Sequence, residues 1–146
     1  MIEALVSIKP RHVDNIMRGK KSVELRVKPI SLPPGSRLWV YTTLPVGRID
    51  MSAQVDFVKS LPPEEIWTKY GKEICISKLD FDLYTAGRDL VTAIGLKDIT
   101  ILDQGVCLPL IRMRLGKFQP PQFFSKIAPN SPLLTLLCGG NEVTSD

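Results

Sequence analysis

The chain has 146 residues, of which 44% are hydrophobic and 23% are charged, and its formal net charge is +4. This length and composition match one ordinary globular domain and exclude a disordered or fibrous chain. No run approaches the ~20 apolar residues of a membrane span. Glu3, Lys9 and Arg11 near the start are not typical of a secretory signal. We therefore expect a cytoplasmic protein with no membrane partner.

The cysteine and histidine content argues against a metal site or a disulfide framework. Cys75, Cys107 and Cys138 are far apart and form no CxxC pair. The single histidine, His12, excludes a multi-histidine metal centre and leaves little room for a Ser-His-Asp triad. We expect no metal and no cofactor, and a Cys-His nucleophile pair is the alternative that stays open.

Basic residues concentrate at the two ends of the chain. Residues 1–28 carry seven lysines and arginines against three acidic residues, and residues 104–141 carry four against none. The middle of the chain is net acidic. If the two ends meet in space, they form a patch suited to a polyanion. The alternative is a solvated surface whose charge is simply uneven.

The first part of the chain predicts a strand, a helix and a second strand. Residues 3–8 are rich in strand formers, and residues 10–18 combine an early proline with apolar residues at helical spacing. Aliphatic and polar residues alternate over residues 22–27, which is typical of a half-buried strand. This alternation places Glu24 and Arg26 on one face of the strand.

The remaining elements follow in a mixed order. A turn is predicted at residues 32–36, and the tail at residues 141–146 is expected to fray. Further strands are predicted over residues 37–43, 46–60, 89–96 and 107–115, the first two as an antiparallel pair, and helices over residues 62–71, 77–87 and 120–127. Because no βαβ alternation repeats, we expect an α+β domain with a curved, mainly antiparallel sheet.

The octet at residues 19–26 reads G-x-K-x-x-E-x-R, with Gly19, Lys21, Glu24 and Arg26 in the fixed positions. It resembles the signature of the ASCH domain family, small proteins with a PUA-like fold. The resemblance covers most of residues 5–127. Its further segments are SIKP at 7–10, WVYTT at 39–43, PVG at 45–47, EIW at 65–67, YG at 70–71, IS at 76–77, the residues Phe81, Tyr84 and Gly87, and PPQ at 120–122. It implies a PUA-like curved β-barrel, mixed or mainly antiparallel, with short peripheral helices. Residues 1–130 would form this single domain, and residues 131–146 a C-terminal extension.

The resemblance also implies a function. Domains of this family look like RNA-binding modules with a cleft beside the barrel. Some relatives are described as ribonucleases, and others are amidohydrolases of acetylated cytidine nucleosides that use a lysine, a threonine and a glutamate. The lysine falls on Lys21 and the glutamate near Glu73, but the threonine falls on Glu24. This departure removes a hydroxyl and weakens the amidohydrolase interpretation.

The candidate ligand-binding residues are Lys9, Lys20, Lys21, Glu24, Arg26 and Tyr41, and the catalytic candidates of an enzyme are Lys21, Glu24 and Glu73. In a partly enclosed cleft, a carboxylate at position 24 would orient Lys21 and Arg26 through charge-assisted hydrogen bonds. Arginine offers a planar fork to a phosphate or a base edge, and lysine offers a point charge. A catalytic Lys21 would need a lowered pKa, and Glu24 beside it works against that.

The candidate site residues also have explanations that involve no ligand. Glu24 and Arg26 could be partners on a wet sheet face. Trp39, Tyr41 and Phe123 could stack on bases, but aromatic residues on a strand face more often belong to a core.

The leading hypothesis from the sequence is an RNA- or nucleotide-binding module. The second is a small hydrolase acting on a modified nucleoside or on RNA. The third is a protein-interaction domain in a transcription or regulatory assembly, with the acidic helical middle as the contact for a protein partner.

Overall fold

The computed structural model describes residues 1–142, and the side chains of residues 1–139. Within this part of the chain the strands are β1 (Glu3–Ile8), β2 (Val23–Arg26), β3 (Arg37–Thr42), β4 (Arg48–Leu61), β5 (Val91–Cys107) and β6 (Phe124–Ile127). The helices are α1 (Pro10–Met17), α2 (Pro63–Ile74), α3 (Lys78–Thr85), α4 (Leu108–Leu115) and α5 (Pro132–Glu142).

The strands form one mixed, curled sheet in the order β2-β5-β4-β3-β1-β6. Among the strands of residues 1–142, only β1 and β3 pair in parallel, and the other neighbours are antiparallel. The register between β4 and β5 shifts at three places, between Ile49 and Met51, Ser52 and Gln54, and Val55 and Phe57. Such bulges bend a strand and increase its twist, which accounts for the curvature of the sheet. The predicted α+β fold with a curved, mainly antiparallel sheet is confirmed.

Both faces of the sheet are covered, because alternate residues of the central strands enter different cores. In β1, Ala4, Val6 and Ile8 belong to a first core beside α1, whereas Leu5 belongs to a second core against α4 and α5. A third core lies between β2, α2 and α3, and the buried ring of Phe81 from α3 belongs to it. This arrangement buries all six positions of β1.

The early elements agree with their predictions, and the differences lie further along the chain. The helix predicted over residues 62–71 continues past Gly71 to Ile74, and it ends where Cys75 adopts the left-handed conformation. At Gly71, inside this helix, an added Cβ would lie 3.1 Å from the ring of Trp67. The strand predicted over residues 89–96 runs on to Cys107.

Two predicted element types are wrong. Residues 107–115 were expected as a strand, but residues 108–115 form α4, whose first turn holds Pro109 and whose Leu108 and Ile111 are buried. Residues 120–127 were expected to contain a helix, but Phe124–Ile127 is the edge strand β6 paired with β1. In both places the partner elements are distant in sequence and decide the outcome.

The C-terminal helix α5 packs against the second core through Leu133 and Leu137. A domain boundary at residue 130 stays a prediction. The predicted fraying concerns residues 141–146, of which residues 143–146 lie outside the described part of the chain.

Candidate nucleic-acid interface

A cleft of about 290 Å³ lies between the start of α1, the strand β2, the end of α2, and α3. Its basic lining residues are Lys9, Arg11, Lys21 and Arg26, and its acidic ones are Glu24 and Asp80. Further walls come from Ser7, Ile8, His12, Leu25, Thr43, Ile74, Ile76, Tyr84 and Gln122. The cleft therefore has a net positive lining with several neutral donors and acceptors.

The segment that carries the signature octet is fixed by backbone hydrogen bonds on both sides. Gly19, with φ of 77°, ends α1 in the left-handed conformation. The next two residues, Lys20 and Lys21, donate their backbone N–H groups to the Asn15 carbonyl at 2.9 and 3.1 Å. Ser22 then donates to the Glu73 carbonyl at 2.9 Å. The positions of the octet side chains are therefore set by α1 and α2 together.

Lys21 is almost fully buried, with 3% of its surface exposed. Its Nζ donates to the Ile74 carbonyl at the end of α2, over 2.8 Å, and lies 3.4 Å from Oε1 of Glu24. Burial lowers the pKa of Lys21 below its ordinary value, and the carboxylate of Glu24 opposes this shift. The opposition expected from the sequence is present, but desolvation outweighs it.

Glu24 lies between the two cationic groups. Its Oε2 accepts a hydrogen bond from Arg26 Nη2 at 2.6 Å, and its Oε1 also accepts from the Leu25 backbone N–H at 3.2 Å. Arg26 Nη2 additionally donates to the Ser7 carbonyl at 2.8 Å. The side chain of Glu24 is 6% exposed and that of Arg26 is 11% exposed. This is a partly buried charge cluster and not a pair on a wet sheet face.

Two buried nitrogen atoms at the cleft have no hydrogen-bond partner within the described residues, Nδ1 of His12 and Nε of Arg26. Native proteins leave few buried polar groups unpaired, since each costs free energy. Burial, followed by the charge of Lys21, lowers the pKa of His12 below 6.5. The imidazole is therefore mainly neutral at pH 7, and it can accept a proton.

The structure brings four of the predicted ligand-binding residues together, Lys9, Lys21, Glu24 and Arg26. Lys20 is exposed and does not line the cleft. Tyr41 lies away from the cleft because odd-numbered positions of β3 face the second core, where Tyr41 is 3% exposed. Burial raises the pKa of Tyr41.

Among the catalytic candidates, Lys21 and Glu24 share the cleft, whereas the side chain of Glu73 is exposed and does not line it. The neighbouring residue Ile74 lines the cleft instead. Glu73 helps to fix the octet through its backbone carbonyl, which accepts a hydrogen bond from the Ser22 N–H.

Sequence reasoning did not place Arg11, His12, Tyr84 or Gln122 at the site, yet all four line the cleft. His12 was considered only as part of a Cys-His pair. The signal that could have found Arg11 and His12 is their position on the first turn of α1, directly after the buried strand β1. Tyr84 and Gln122 belong to segments of the family resemblance, but the sequence did not indicate that they reach the cleft, because α3 and the segment before β6 meet it only through the tertiary fold.

The basic residues of the two chain ends do not meet at the cleft. The N-terminal end supplies all four basic residues of the cleft, whereas Arg112, Arg114, Lys117 and Lys126 do not line it. Within the described residues, no group of three or more histidine, cysteine, aspartate or glutamate side chains could hold a metal ion. In the same part of the chain no helix has the length and apolar character needed to cross a membrane.

The curled mixed sheet, the short helices around it and a polar cleft at its edge define a PUA-like protein. No protein-family model matches the chain. An ASCH domain-containing ribonuclease from Zymomonas mobilis is 31% identical over 121 residues, which cover 82% of this chain and 80% of that protein. This chain belongs to the ASCH domain family.

Solved structures agree with this assignment. The crystal structure of ASCH from Zymomonas mobilis matches with a TM-score of 0.85 and 26% identity, covering 93% of this chain and 94% of that one. Human THYN1, solved in complex with 5-methylcytosine containing DNA, matches with a TM-score of 0.60 and 8% identity, covering 96% of this chain and 98% of that one. The second likeness shows the shared fold alone.

Proposed function

We propose that this protein binds single-stranded RNA and holds one nucleotide in the cleft that the signature octet lines. The observation that carries the proposal is the convergence of Lys9, Arg11, Lys21 and Arg26 on one cleft of about 290 Å³. Guanidinium and ammonium groups suit phosphate oxygens and base edges. The volume is near the lower end for small-ligand pockets, which fits one unpaired nucleotide and not a duplex.

A relative supports a nucleic-acid ligand. The Zymomonas mobilis protein is named a ribonuclease. The cluster of Lys21, Glu24 and Arg26 adds a physical reason, because its donors are held in place before any ligand arrives. Such preorganisation lowers the entropic cost of binding.

The test of binding uses fluorescence anisotropy with a labelled single-stranded RNA of mixed sequence. The double variant Lys9→Gln/Arg11→Gln should bind about tenfold more weakly, since it loses two charges at the mouth of the cleft. A matched control is Lys59→Gln/Lys97→Gln, which removes two lysines of β4 and β5 that do not line the cleft. Equal weakening in both variants, or no RNA binding by the wild-type protein, contradicts the proposal.

RNA hydrolysis at the same cleft is the second candidate function. Two observations favour it: the name of the Zymomonas mobilis relative, and two groups in one cleft, His12 and Lys21, whose pKa values are both lowered. Neutral His12 would take the proton from the 2′-hydroxyl while the 2′-oxygen bonds to phosphorus and the P–O5′ bond breaks. Lys21 would give a proton to the leaving 5′-oxygen. The products are a 2′,3′-cyclic phosphate and a 5′-hydroxyl end.

This chemistry does not need a threonine at position 24, because the nucleophile belongs to the RNA. Glu24, which bonds Arg26 and Lys21, would act as a positioning residue. Removal of an acetyl group from cytidine does need a nucleophile or activated water from elsewhere. The glutamate at position 24 therefore favours RNA over acetylated cytidine as the substrate.

A single RNA with one 2′-deoxy nucleotide separates binding from hydrolysis. If the protein is a ribonuclease of this kind, cleavage stops at the deoxy position, affinity is retained, and mass spectrometry finds cyclic phosphate ends on the unmodified RNA. Lys21→Met and His12→Gln should each lower the cleavage rate by about 10²-fold or more. Cleavage unchanged by either substitution rules out these roles, and turnover of acetylated cytidine but not RNA reverses the choice of substrate.

A cytoplasmic location, a role in transcription regulation and a protein partner of the acidic segment stay predictions from the sequence. The segment contains α2 and α3, and α3 exposes Leu79 and Leu83, each at 68%. A pull-down with a Leu79→Ser/Leu83→Ser variant as the comparison tests the partner.

A further inference from the structure

We propose that Phe123 and Lys28 form a second nucleotide subsite beside the cleft, which takes the neighbouring base and phosphate of the same single-stranded RNA. The inference rests on the proposed function and extends it. The preferred ligand becomes an oligonucleotide of at least two residues and not a free nucleoside or mononucleotide. We refer to this second subsite, with Arg26, Lys28, Pro29, Ile30, Phe123 and Phe124 as its lining, as the ledge.

The ledge combines an exposed aromatic ring with a cation. The side chain of Phe123 is 37% exposed, and Nζ of Lys28 lies 4.5 Å from the centroid of its ring. Together with Arg26 these residues line a cavity of about 150 Å³. Aromatic rings beside basic residues are typical of surfaces that bind single strands, because every base can stack and every nucleotide carries a phosphate.

The ledge lies next to the cleft. Arg26 lines both cavities. Gln122 lines the cleft, and the next residue, Phe123, lines the ledge. A strand of nucleotides that leaves the cleft past Arg26 and Gln122 therefore meets the ring of Phe123.

The segment before β6 is held firmly, so Phe123 is not a loosely placed surface residue. The Ser7 backbone N–H donates to the Phe123 carbonyl at 3.3 Å, and Ser7 Oγ donates to the Pro121 carbonyl at 2.6 Å. The following residue, Phe124, pairs with Val6 of β1. Because its backbone is already fixed, Phe123 loses less freedom when a base stacks on its ring.

The experiment compares a dinucleotide with a mononucleotide. The dinucleotide carries 2-aminopurine, whose fluorescence reports stacking of the labelled base, at each of its two positions in turn. Wild-type protein should bind the dinucleotide more tightly than the mononucleotide and quench the probe at one position. Phe123→Ala should weaken dinucleotide binding about 5- to 100-fold. It should also abolish the quenching and change mononucleotide affinity less than twofold.

Two further variants guard against indirect effects. Phe123→Leu keeps an apolar side chain for packing but offers no ring, so it should reproduce the loss of quenching while its thermal unfolding stays close to that of the wild type. Lys28→Gln should weaken dinucleotide binding. Its matched control is Lys59→Gln. Nζ of Lys59 also lies over an aromatic ring, 5.8 Å from the centroid of Phe57, but Lys59 lines neither cavity.

The outcomes distinguish the two proposals. Dinucleotide binding that depends on Lys9 and Arg11 but is unchanged in both Phe123 variants overturns the ledge and leaves the cleft standing. If the wild-type protein binds no RNA, including longer single strands, the proposed function itself is overturned. If single-stranded DNA binds as tightly as RNA and still depends on Phe123, the proposed subsite stands, but the protein does not recognise the 2′-hydroxyl.

Discussion

Two buried glutamates in this protein have different surroundings, and the difference separates a site from a structural contact. Glu3 accepts from Arg37 Nε and Nη2 at 2.7 and 2.8 Å and from Trp39 Nε1 at 2.8 Å. Its carboxylate is therefore satisfied by a paired arginine and a tryptophan. Glu24 instead holds Arg26 and Lys21 at the wall of an open cleft, next to buried nitrogens that have no partner within the described residues. A ligand can complete the second cluster but not the first.

The lowered pKa of Lys21 predicts a pH dependence of stability. Below the ordinary value of 10.5, the unfolded chain binds more protons at this group than the folded protein does. The free energy of unfolding therefore rises with pH across the window that ends near 10.5. The free energy of unfolding of the wild type minus that of Lys21→Met, measured by urea denaturation, should therefore increase as the pH rises from about 7 to 10.

Lys97→Met is the matched control for that measurement, because Lys97 is a half-exposed surface lysine paired with Asp56. Its profile should stay parallel to that of the wild type. If the Lys21→Met profile is also parallel, the burial of Lys21 does not perturb its protonation.

Secondary structure is predicted correctly where it depends on a local sequence pattern, and wrongly where contacts with an element distant in sequence determine it. The helix α1 and the strands β1 to β3 follow from proline placement, helical spacing and alternation. For α4, residues 107–115 were predicted as a strand, but Pro109 and burial of Ile111 against α5 favour a helix. For β6, the open edge of β1 supplies the hydrogen bonds that no local pattern reveals.

The pairing of β5 with β4 predicts an intolerance at Gly95, which lies opposite Phe57. A Cβ at this position would overlap the ring of Phe57, which stacks on Tyr70 with centroids 5.0 Å apart. Gly95→Ala should therefore destabilise the protein by about 1–3 kcal/mol. Gly139→Ala is the matched control, since a Cβ there meets nothing within 4 Å and the residue lies in α5. It should be neutral or stabilising by up to about 1 kcal/mol.

A second substitution identifies the cause. In a Phe57→Ala background, Gly95→Ala should cost much less than in the wild type, because the overlapping ring is gone. Equal costs in the two backgrounds would show that backbone effects, and not the ring, determine the intolerance. Thermal or urea unfolding of the four proteins gives the coupling directly.

For the whole molecule, curling of the sheet is what brings distant parts of the chain to one place. The strands β2 and β6 are the two edges of the sheet, yet Arg26 of β2 bonds Ser7 of β1, and Lys28 after β2 contacts Phe123 before β6. Side chains, and not strand pairing, bridge this side of the sheet. The gap between the edges holds the ledge, and the cleft lies next to it.

The uneven charge of the molecule predicts the salt dependence of RNA binding. A plot of the logarithm of affinity against that of salt concentration should be linear, with a slope of roughly −0.7 for each phosphate contact to a single strand. Lys9→Gln and Arg11→Gln should each reduce the magnitude of this slope by about 0.7 if they contact phosphates. Lys97→Gln should leave the slope unchanged. A salt-independent affinity would mean that the basic lining does not contact phosphates.

The sequence by itself indicated the family through the resemblance of its ordered segments, and the α+β class through the mixed order of its elements. It also placed Lys21, Glu24 and Arg26 in one octet, with Glu24 and Arg26 on one strand face because of local alternation. Only the tertiary structure decided which other side chains join them. It placed Tyr41 in a core and Glu73 on the surface, because strand faces and helix ends are oriented by packing. It brought His12, Tyr84 and Gln122 to the cleft, because the curled sheet joins segments more than a hundred residues apart, as the bond from Ser7 to Pro121 shows.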